Sequence, residues 1–298
     1  MEDSGISVRS VSRRYGDKVA LDDLTLNVPR GEICGFVGPN GAGKTTAMRI
    51  MVGLLAADRG SVLWDGEPIG DTRRRRIGYM PEERGLYPKM RIGDQLAYLG
   101  ELHGLSPSQA EQRAGEWLER LGLADRLEDN VEVLSLGNQQ RVQLAASLVF
   151  DPDLLILDEP FSGLDPVGVD LLSDVIREFC EERDVPVIFS SHQLELVERI
   201  CDSVAIIKDG TLIASGLVSD LEAERAGNVW LLRLADRDDW RPGLDGVTRL
   251  EPGTFELEPD LDPQELLRAG QAVGEVIEFR RRVPGLSELF RETIGEER

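Results

Sequence analysis

The rhythm of polar and apolar positions changes several times along this chain. Ile6, Val8 and Val11, then Leu21, Leu24, Leu26 and Val28, are separated by polar residues. That alternation predicts short antiparallel strands with one wet face over residues 6–30. Residues 33–37 are apolar throughout, run straight into glycines, and lead to a helix predicted from about Lys44. Between 91 and 149 the spacing turns helical. Leu96, Leu99 and Leu102 share a helical period, and Ser106-Pro107 has the cap and first-turn proline of a helix start. Trp117, Leu118 and Leu121 extend an apolar face that Gly122 stops. This stretch reads as a helical insertion.

Short, almost uninterrupted apolar runs come next at 154–157, 185–189 and 204–207, with helices predicted at about 167–182 and 193–201. Runs of this kind suit central parallel strands buried on both faces, and strand–helix alternation makes an α/β sheet. After about residue 217 the pattern changes again. Strands are predicted at 229–234, 254–257 and 276–281, and helices at 263–272 and 286–294. The expected organisation is a first domain over 1–218, with its helical part at about 91–149, and a small α+β domain over 219–298.

Composition narrows the class. The 298 residues are 41% hydrophobic and 30% charged, enough apolar material for a core and too much for a disordered chain. No apolar run approaches the ~18 residues that a membrane-spanning helix requires. The first residues, MEDSGISVRSVSRRYGD, lack the apolar centre of a signal peptide, which predicts a cytoplasmic protein. Cys34, Cys180 and Cys201 form no CxxC, and with two histidines in the chain neither a structural zinc site nor a disulfide framework is expected. Three buried thiols are. The formal net charge is −21, which disfavours nucleic acid as a partner. A run of four arginines at 73–76 reads as a solvated stretch beside a strand. Only Lys18, Lys44, Lys89 and Lys208 are lysine among 34 basic residues. Such an acidic, lysine-poor surface resembles proteins of salt-accumulating archaea, whose self-repulsion is screened at molar salt.

The chemistry is concentrated at strand ends. Gly38-Pro39-Asn40-Gly41-Ala42-Gly43-Lys44-Thr45 matches G-x-x-x-x-G-K-[ST] between a predicted strand and a predicted helix. Glycines let backbone N–H groups turn inward onto phosphate oxygens, and the helix start adds partial positive charge. Lys44 supplies a full charge to the β- and γ-phosphates, and Thr45 a hydroxyl for Mg²⁺. Residues 154–157 then deliver Asp158 and Glu159 to a strand's C-terminal edge, where open α/β sheets bind ligands. Asp158 is a candidate Mg²⁺ ligand, and Glu159 a candidate to orient or deprotonate the attacking water. His192, at the end of another apolar run, offers a neutral imidazole to the γ-phosphate from the same edge.

Taken in order, these motifs resemble the ATP-binding cassette family of transport ATPases over residues 5–217. The phosphate loop is followed by Thr46. Leu134-Ser135-Leu136-Gly137-Asn138-Gln139-Gln140 is similar to the family signature LSGGQ. The acidic pair is followed by Ser162-Gly163-Leu164-Asp165, which resembles the D-loop; His192 matches the switch histidine, and Tyr15 stands where the family stacks a ring on adenine. Residues 78–88, GYMPEERGLYP, and the small C-terminal domain are similar to two-component exporters of the sodium and drug-efflux type. Two positions depart. Leu136 and Asn138 replace a glycine and a glutamine of the signature, while Ser135 and Gly137 remain. Glu82 stands where most members have a glutamine that reaches Mg²⁺ and the attacking water.

The resemblance implies a P-loop NTPase core with a mainly parallel sheet, an N-terminal antiparallel β subdomain, a helical insertion and a small C-terminal α+β domain. It implies ATP and Mg²⁺ as ligands. Glu159, His192 and Glu82 would be catalytic, and Thr45, Glu82 and Asp158 would hold the metal. Ser135, Gly137, Asn138 and Asp165 would meet the nucleotide of a second ATPase subunit, identical or paralogous, because one chain carries one phosphate loop and one signature. The implied partner is a membrane-spanning permease that keeps the ATPase on the cytoplasmic face, with the surface around Arg84, Tyr87 and Met90 as its contact and no nucleic acid involved. Two other readings stay open: a soluble cassette ATPase acting on ribosomes or DNA, and a nucleotide sensor with little turnover.

Overall fold

The computed structural model describes residues 4–83, 85–225, 227–237, 239–282 and 285. The chain divides into two compact units, Met1–Leu217 and Val218–Arg298. The expected contact residue Arg84 and the expected helix at 286–294 lie outside the described residues.

The first unit opens with antiparallel strands β1 (Ile6–Tyr15) and β2 (Lys18–Val28). Their apolar positions Ile6, Val8, Val11, Leu21, Leu24 and Val28 are all buried, as the alternation predicts. After β3 (Ile33–Val37) and α1 (Lys44–Met51) the chain adds β4 (Arg59–Trp64) and β5 (Glu67–Pro68), completing a four-stranded sheet in the order β2-β1-β4-β5. A short α2 (Asp71–Arg74) precedes β6 (Ile77–Met80). One core runs from Leu24 and Trp64 of this sheet, through Met48 of α1, to Phe36 and Ile156.

The helical region holds α3 (Ile92–Leu102), α4 (Pro107–Arg120) and α5 (Leu136–Leu148). Ser106 caps α4 reciprocally with Gln109, and Pro107 occupies its first turn. Trp117, Leu118 and Leu121 are buried, but Leu102 is exposed, because the buried side of α3 is Ile92, Leu96 and Gly100.

Then come β7 (Leu154–Leu157), α6 (Pro166–Arg183), β8 (Val187–Ser191), α7 (Leu194–Ile200), β9 (Ser203–Lys208) and β10 (Thr211–Leu217). The six-stranded sheet has the order β10-β9-β3-β8-β7-β6, with only the edge strand β10 antiparallel. Every residue of β3, β7 and β8 is buried. β8 starts two residues later than the apolar run, because Pro186 has no N–H for the ladder and Val185 N–H is bonded to Cys180 O. It ends two residues later because Ser190 and Ser191, polar yet buried, continue it. The thiols of Cys34, Cys180 and Cys201 are buried and free, and burial pushes those of Cys34 and Cys180 up to about 12.

The second unit begins with α8 (Val218–Arg225) and forms an antiparallel sheet from β11 (Val229–Leu234), β12 (Val247–Glu251), β13 (Thr254–Leu257) and β14 (Val276–Arg281), in the order β12-β13-β11-β14. Between β13 and β14, α9 (Pro263–Gln271) buries Leu266 among Leu232, Leu234, Phe255 and Leu257. Asp262 caps α9, accepting from Gln264 N at 3.0 Å. Trp230 and Phe279 stack beside that core with ring centroids 5.0 Å apart.

Candidate nucleotide-binding site

Four neighbouring parallel strands, β3, β8, β7 and β6, end on one edge of the sheet. Each strand hands a different chemical group to that edge: the glycine loop after β3, His192 after β8, Asp158-Glu159 after β7 and Pro81-Glu82 after β6. A cavity of about 320 Å³ opens there, lined by Tyr15, Lys18, Ala20, Asn40, Gly41, Gly43, Lys44, Thr45, Thr46, Glu82, Asp158 and Glu159. Of the predicted loop residues, Gly38, Pro39 and Ala42 do not line it. They form the turn behind, where Ala42 N–H donates to Pro39 O at 3.1 Å. Gly43 has φ 110°, and a Cβ there would stand 2.4 Å from Ala20 O, so only glycine fits this bend. α1 starts at Lys44, and the amides of its first turn have no partners within the helix, which leaves donors for an anion.

Lys44 is buried at the bottom of the cavity. Its Nζ donates to Gly38 O at 2.7 Å and to Pro39 O at 3.3 Å. Burial lowers its pKa, opposed by the charges of Glu159, Asp158 and Glu82. The three acids outweigh Lys44, so a polyphosphate would need an accompanying cation to enter this site.

Asp158 is 1% exposed. Ser190 Oγ donates to its Oδ1 at 2.6 Å and accepts Glu159 N–H at 2.8 Å. The other oxygen, Oδ2, is buried without a hydrogen-bond partner. An orphaned carboxylate oxygen at a cavity wall is costly unless a cation takes it. Among the described residues no three His, Cys, Asp or Glu cluster as a complete metal site. A cation here would need its remaining ligands from hydroxyl, water and phosphate, as Mg²⁺ takes them in phosphate sites.

Glu159 occupies left-handed backbone, φ 52°, which turns its side chain back over the cavity. Burial raises its pKa, and the hydrogen bond from His192 lowers it in part. His192 Nδ1 lies 3.0 Å from Glu159 Oε2. An ionised carboxylate only accepts, so Nδ1 carries the proton in this contact. The neutral ring then has no second N–H. In that tautomer Nε2 accepts; in the other, with the proton on Nε2 and a protonated Glu159 donating to Nδ1, the neutral ring can donate to a γ-phosphate as expected.

The raised pKa sets a stability expectation. A carboxylate whose folded pKa lies above its unfolded value destabilises the fold once both states are ionised, and costs nothing below the unfolded pKa of ~4.3. Glu159→Gln should therefore raise the Tm of the nucleotide-free protein at pH 7–8, with the gain vanishing below pH ~4. Calorimetry across that range checks it; a gain that grows toward acid would contradict it.

Ser135, Gly137, Asn138 and Asp165 do not line this cavity. Ser135 caps α5, its Oγ accepting from Asn138 N at 3.3 Å, and Asp165 caps α6, accepting from Gly168 N at 2.8 Å. Gly137 packs against Leu164, and Leu136 is exposed. The two helix starts thus stand together, away from the chain's own phosphate loop.

A model of the family described as ABC transporter matches residues 21–162. The ABC transporter ATP-binding protein YhaQ of Bacillus subtilis is 37% identical over 97% of this chain and 98% of its own length. This chain belongs to the ABC transporter ATP-binding proteins. The daunorubicin resistance ATP-binding protein DrrA3 of Streptomyces coeruleorubidus is 35% identical across 100% of this chain and 98% of its own. Among solved structures, cbiO1 of Clostridium perfringens, part of the ABC transporter complex cbiONQ, superposes with a TM-score of 0.67 and 30% identity over 75% of this chain and 92% of that one. The protein is an ATP-binding, ABC-type ATPase subunit, and its fold is the α/β cassette expected from the motifs.

Three polar residues of this ABC subunit's site escape a reading of the sequence. Ser190 joins Asp158 to Glu159, and the amides of Gln140 and Gln143 reach the backbones beside Glu159 and Glu82. Ser190 carries a signal, since a strand that ends in serines needs partners if it is buried. The glutamines carry none, because their targets are more than fifteen residues away in sequence.

Proposed function

We propose that this subunit powers an exporter, closing head-to-tail on a second ATPase subunit when ATP is bound and reopening on hydrolysis. The convergence of Lys44, Thr45, Glu82, Asp158 and Glu159 on one cavity, with Ser135 outside it, carries the reading. A site that holds the phosphate charges yet lacks the signature serine is half of a composite site. Two copies, or this chain and a paralogue, supply the other half, and Ser135, Gly137, Asn138 and Asp165 then face the partner's nucleotide. Tyr15, half-exposed at the cavity mouth, stacks on adenine.

Asp158 Oδ2, the Thr45 hydroxyl and Glu82 would hold Mg²⁺, which neutralises phosphate charge when bound. Glu159 takes the proton of the attacking water or orients it, Lys44 stabilises charge on the transferred phosphoryl group, and His192 holds Glu159 in place.

Among the described residues no helix is long and apolar enough to cross a membrane; the subunit works with a separate permease. A second cavity, about 380 Å³, lies beside the Glu82 segment and is lined by Leu54, Tyr79, Leu86, Leu99, His103 and Phe150 among others. Its apolar wall and the exposed Tyr87 suit a cytoplasmic helix of that permease. The match to a daunorubicin resistance ATP-binding protein across the whole chain supports export. The second unit serves as an accessory domain of this assembly.

Ser135→Arg tests the composite site. Bulk at the start of α5 should leave ATP binding to the isolated subunit unchanged while removing ATP-driven dimers and hydrolysis. Fluorescent-nucleotide titration and light scattering read the two effects; full hydrolysis in this variant would overturn the head-to-tail arrangement.

A further inference from the structure

We infer that Gln140 and Gln143 are positioning residues: one helix, α5, holds both carboxylate-bearing loops by their main chains, through one buried amide each. The inference rests on the roles proposed for Glu82 and Glu159.

Both side chains are almost fully buried, Gln140 at 5% and Gln143 at 4% exposure. They stand three residues apart and so share one side of α5. Gln140 Nε2 donates to Glu159 O at 3.1 Å and to Pro160 O at 2.9 Å. Gln143 Nε2 donates to Pro81 O at 2.6 Å and to Glu83 O at 3.4 Å, the carbonyls on either side of Glu82. Each amide thus fixes the backbone that carries one acid, without touching the acid itself.

A purely structural role explains this poorly. A buried helix face is filled most stably by Leu or Ala, whereas a buried amide must find partners for each polar atom. Gln143 Oε1 finds none and is buried. An orphaned acceptor costs stability, so the residue is better explained by what its donor does. Glu159 also needs an external hold, because its left-handed backbone is unfavourable for a residue with a Cβ. Gln140 grips the carbonyl of that turn.

Gln143 faces two ways. It lines the apolar cavity assigned to the permease, and it bonds the segment that carries Glu82. A helix seated in that cavity would meet Gln143, whose amide bonds the Glu82 segment, without touching Glu82, which does not line it. The same α5 starts at Ser135, roughly 12 Å away along its axis at 1.5 Å per residue. Phosphate captured at that start would be felt at both loops through the one rigid element.

The test uses the full chain and steady-state ATPase assays at temperatures well below the measured Tm. Gln143→Met keeps the length of the side chain and removes the donor. It should lower kcat about tenfold or more, as loss of an outer partner does, with KM for ATP moving less than about twofold. The Mg²⁺ concentration for half-maximal rate should rise about threefold or more, because Glu82 is displaced. In a Glu82→Ala background Gln143→Met should have no further effect. Gln140→Met should lower kcat comparably while half-maximal Mg²⁺ stays unchanged, and this second variant serves if the first fails to fold. Equal fold losses from Gln143→Met in both backgrounds, or variants that change Tm but neither kcat nor Mg²⁺ dependence, would overturn the positioning role. An inert Glu82→Ala would instead overturn the metal role given to Glu82, and with it the Gln143 arm.

Discussion

Lys44→Ala is expected to reduce ATP affinity by at least about 100-fold, equivalent to ~2.7 kcal/mol, while the protein stays folded. The size follows from the site's charge. Lys44 is the buried cation among Glu82, Asp158 and Glu159. Without it, a polyphosphate must approach three carboxylates on amide dipoles alone, and truncating one partner of a desolvated charge set costs about 2–5 kcal/mol. The lost side chain also frees Gly38 O and Pro39 O, which water at the cavity floor can satisfy. Isothermal titration with Mg·ATP reads the effect directly. Unchanged affinity would remove the phosphate-loop assignment.

Glu159→Gln separates binding from chemistry. The amide keeps the size of the side chain and its contact with His192, and loses the ability to take a proton. Hydrolysis should fall about 10²–10⁴-fold, the usual contribution of a positioned general base. Affinity for ATP should remain within about twofold (~0.4 kcal/mol) of the unaltered protein. With hydrolysis stopped, the closed pair has no route to reopen, so Mg·ATP should convert the variant to a dimer that gel filtration with light scattering can weigh. A variant that still turns over at the original rate would place the base elsewhere. One that stays monomeric would discard the ATP-bridged pair.

Much of the fold and the site is legible in the chain because the residues concerned face one demand each. Residues 33–37 and 154–157 are buried on both sides and read as apolar runs without interruption. The glycine loop reads directly because left-handed backbone and inward amides require its composition. Elements with two demands are harder. β6 contains Gly78, where a Cβ would meet Ser147 O at 2.4 Å, so close packing rather than hydrophobicity selects the residue and the apolar run is broken. The apolar run places β8 two residues too early because Pro186 shortens the strand's start and the buried serines 190 and 191 extend its end. The role of His192 depends on which ring nitrogen meets Glu159, and no spacing along the chain encodes that. Likewise Gln140 and Gln143 acquire their partners only when the strand ends meet over α5.

On the proposed function, one cavity brings the glycine-loop amides and Lys44 to a polyphosphate, and Asp158 Oδ2 would take the cation. The most direct measurement is a crystal structure of Glu159→Gln with Mn²⁺ and ATP, the metal located by its anomalous signal. The claim predicts manganese bound between Asp158 and the Thr45 hydroxyl, with Lys44 Nζ turned from the carbonyls of Gly38 and Pro39 onto the β- and γ-phosphates. A nucleotide seated elsewhere, or a metal peak remote from Asp158 with Lys44 still folded onto its own loop, would contradict it.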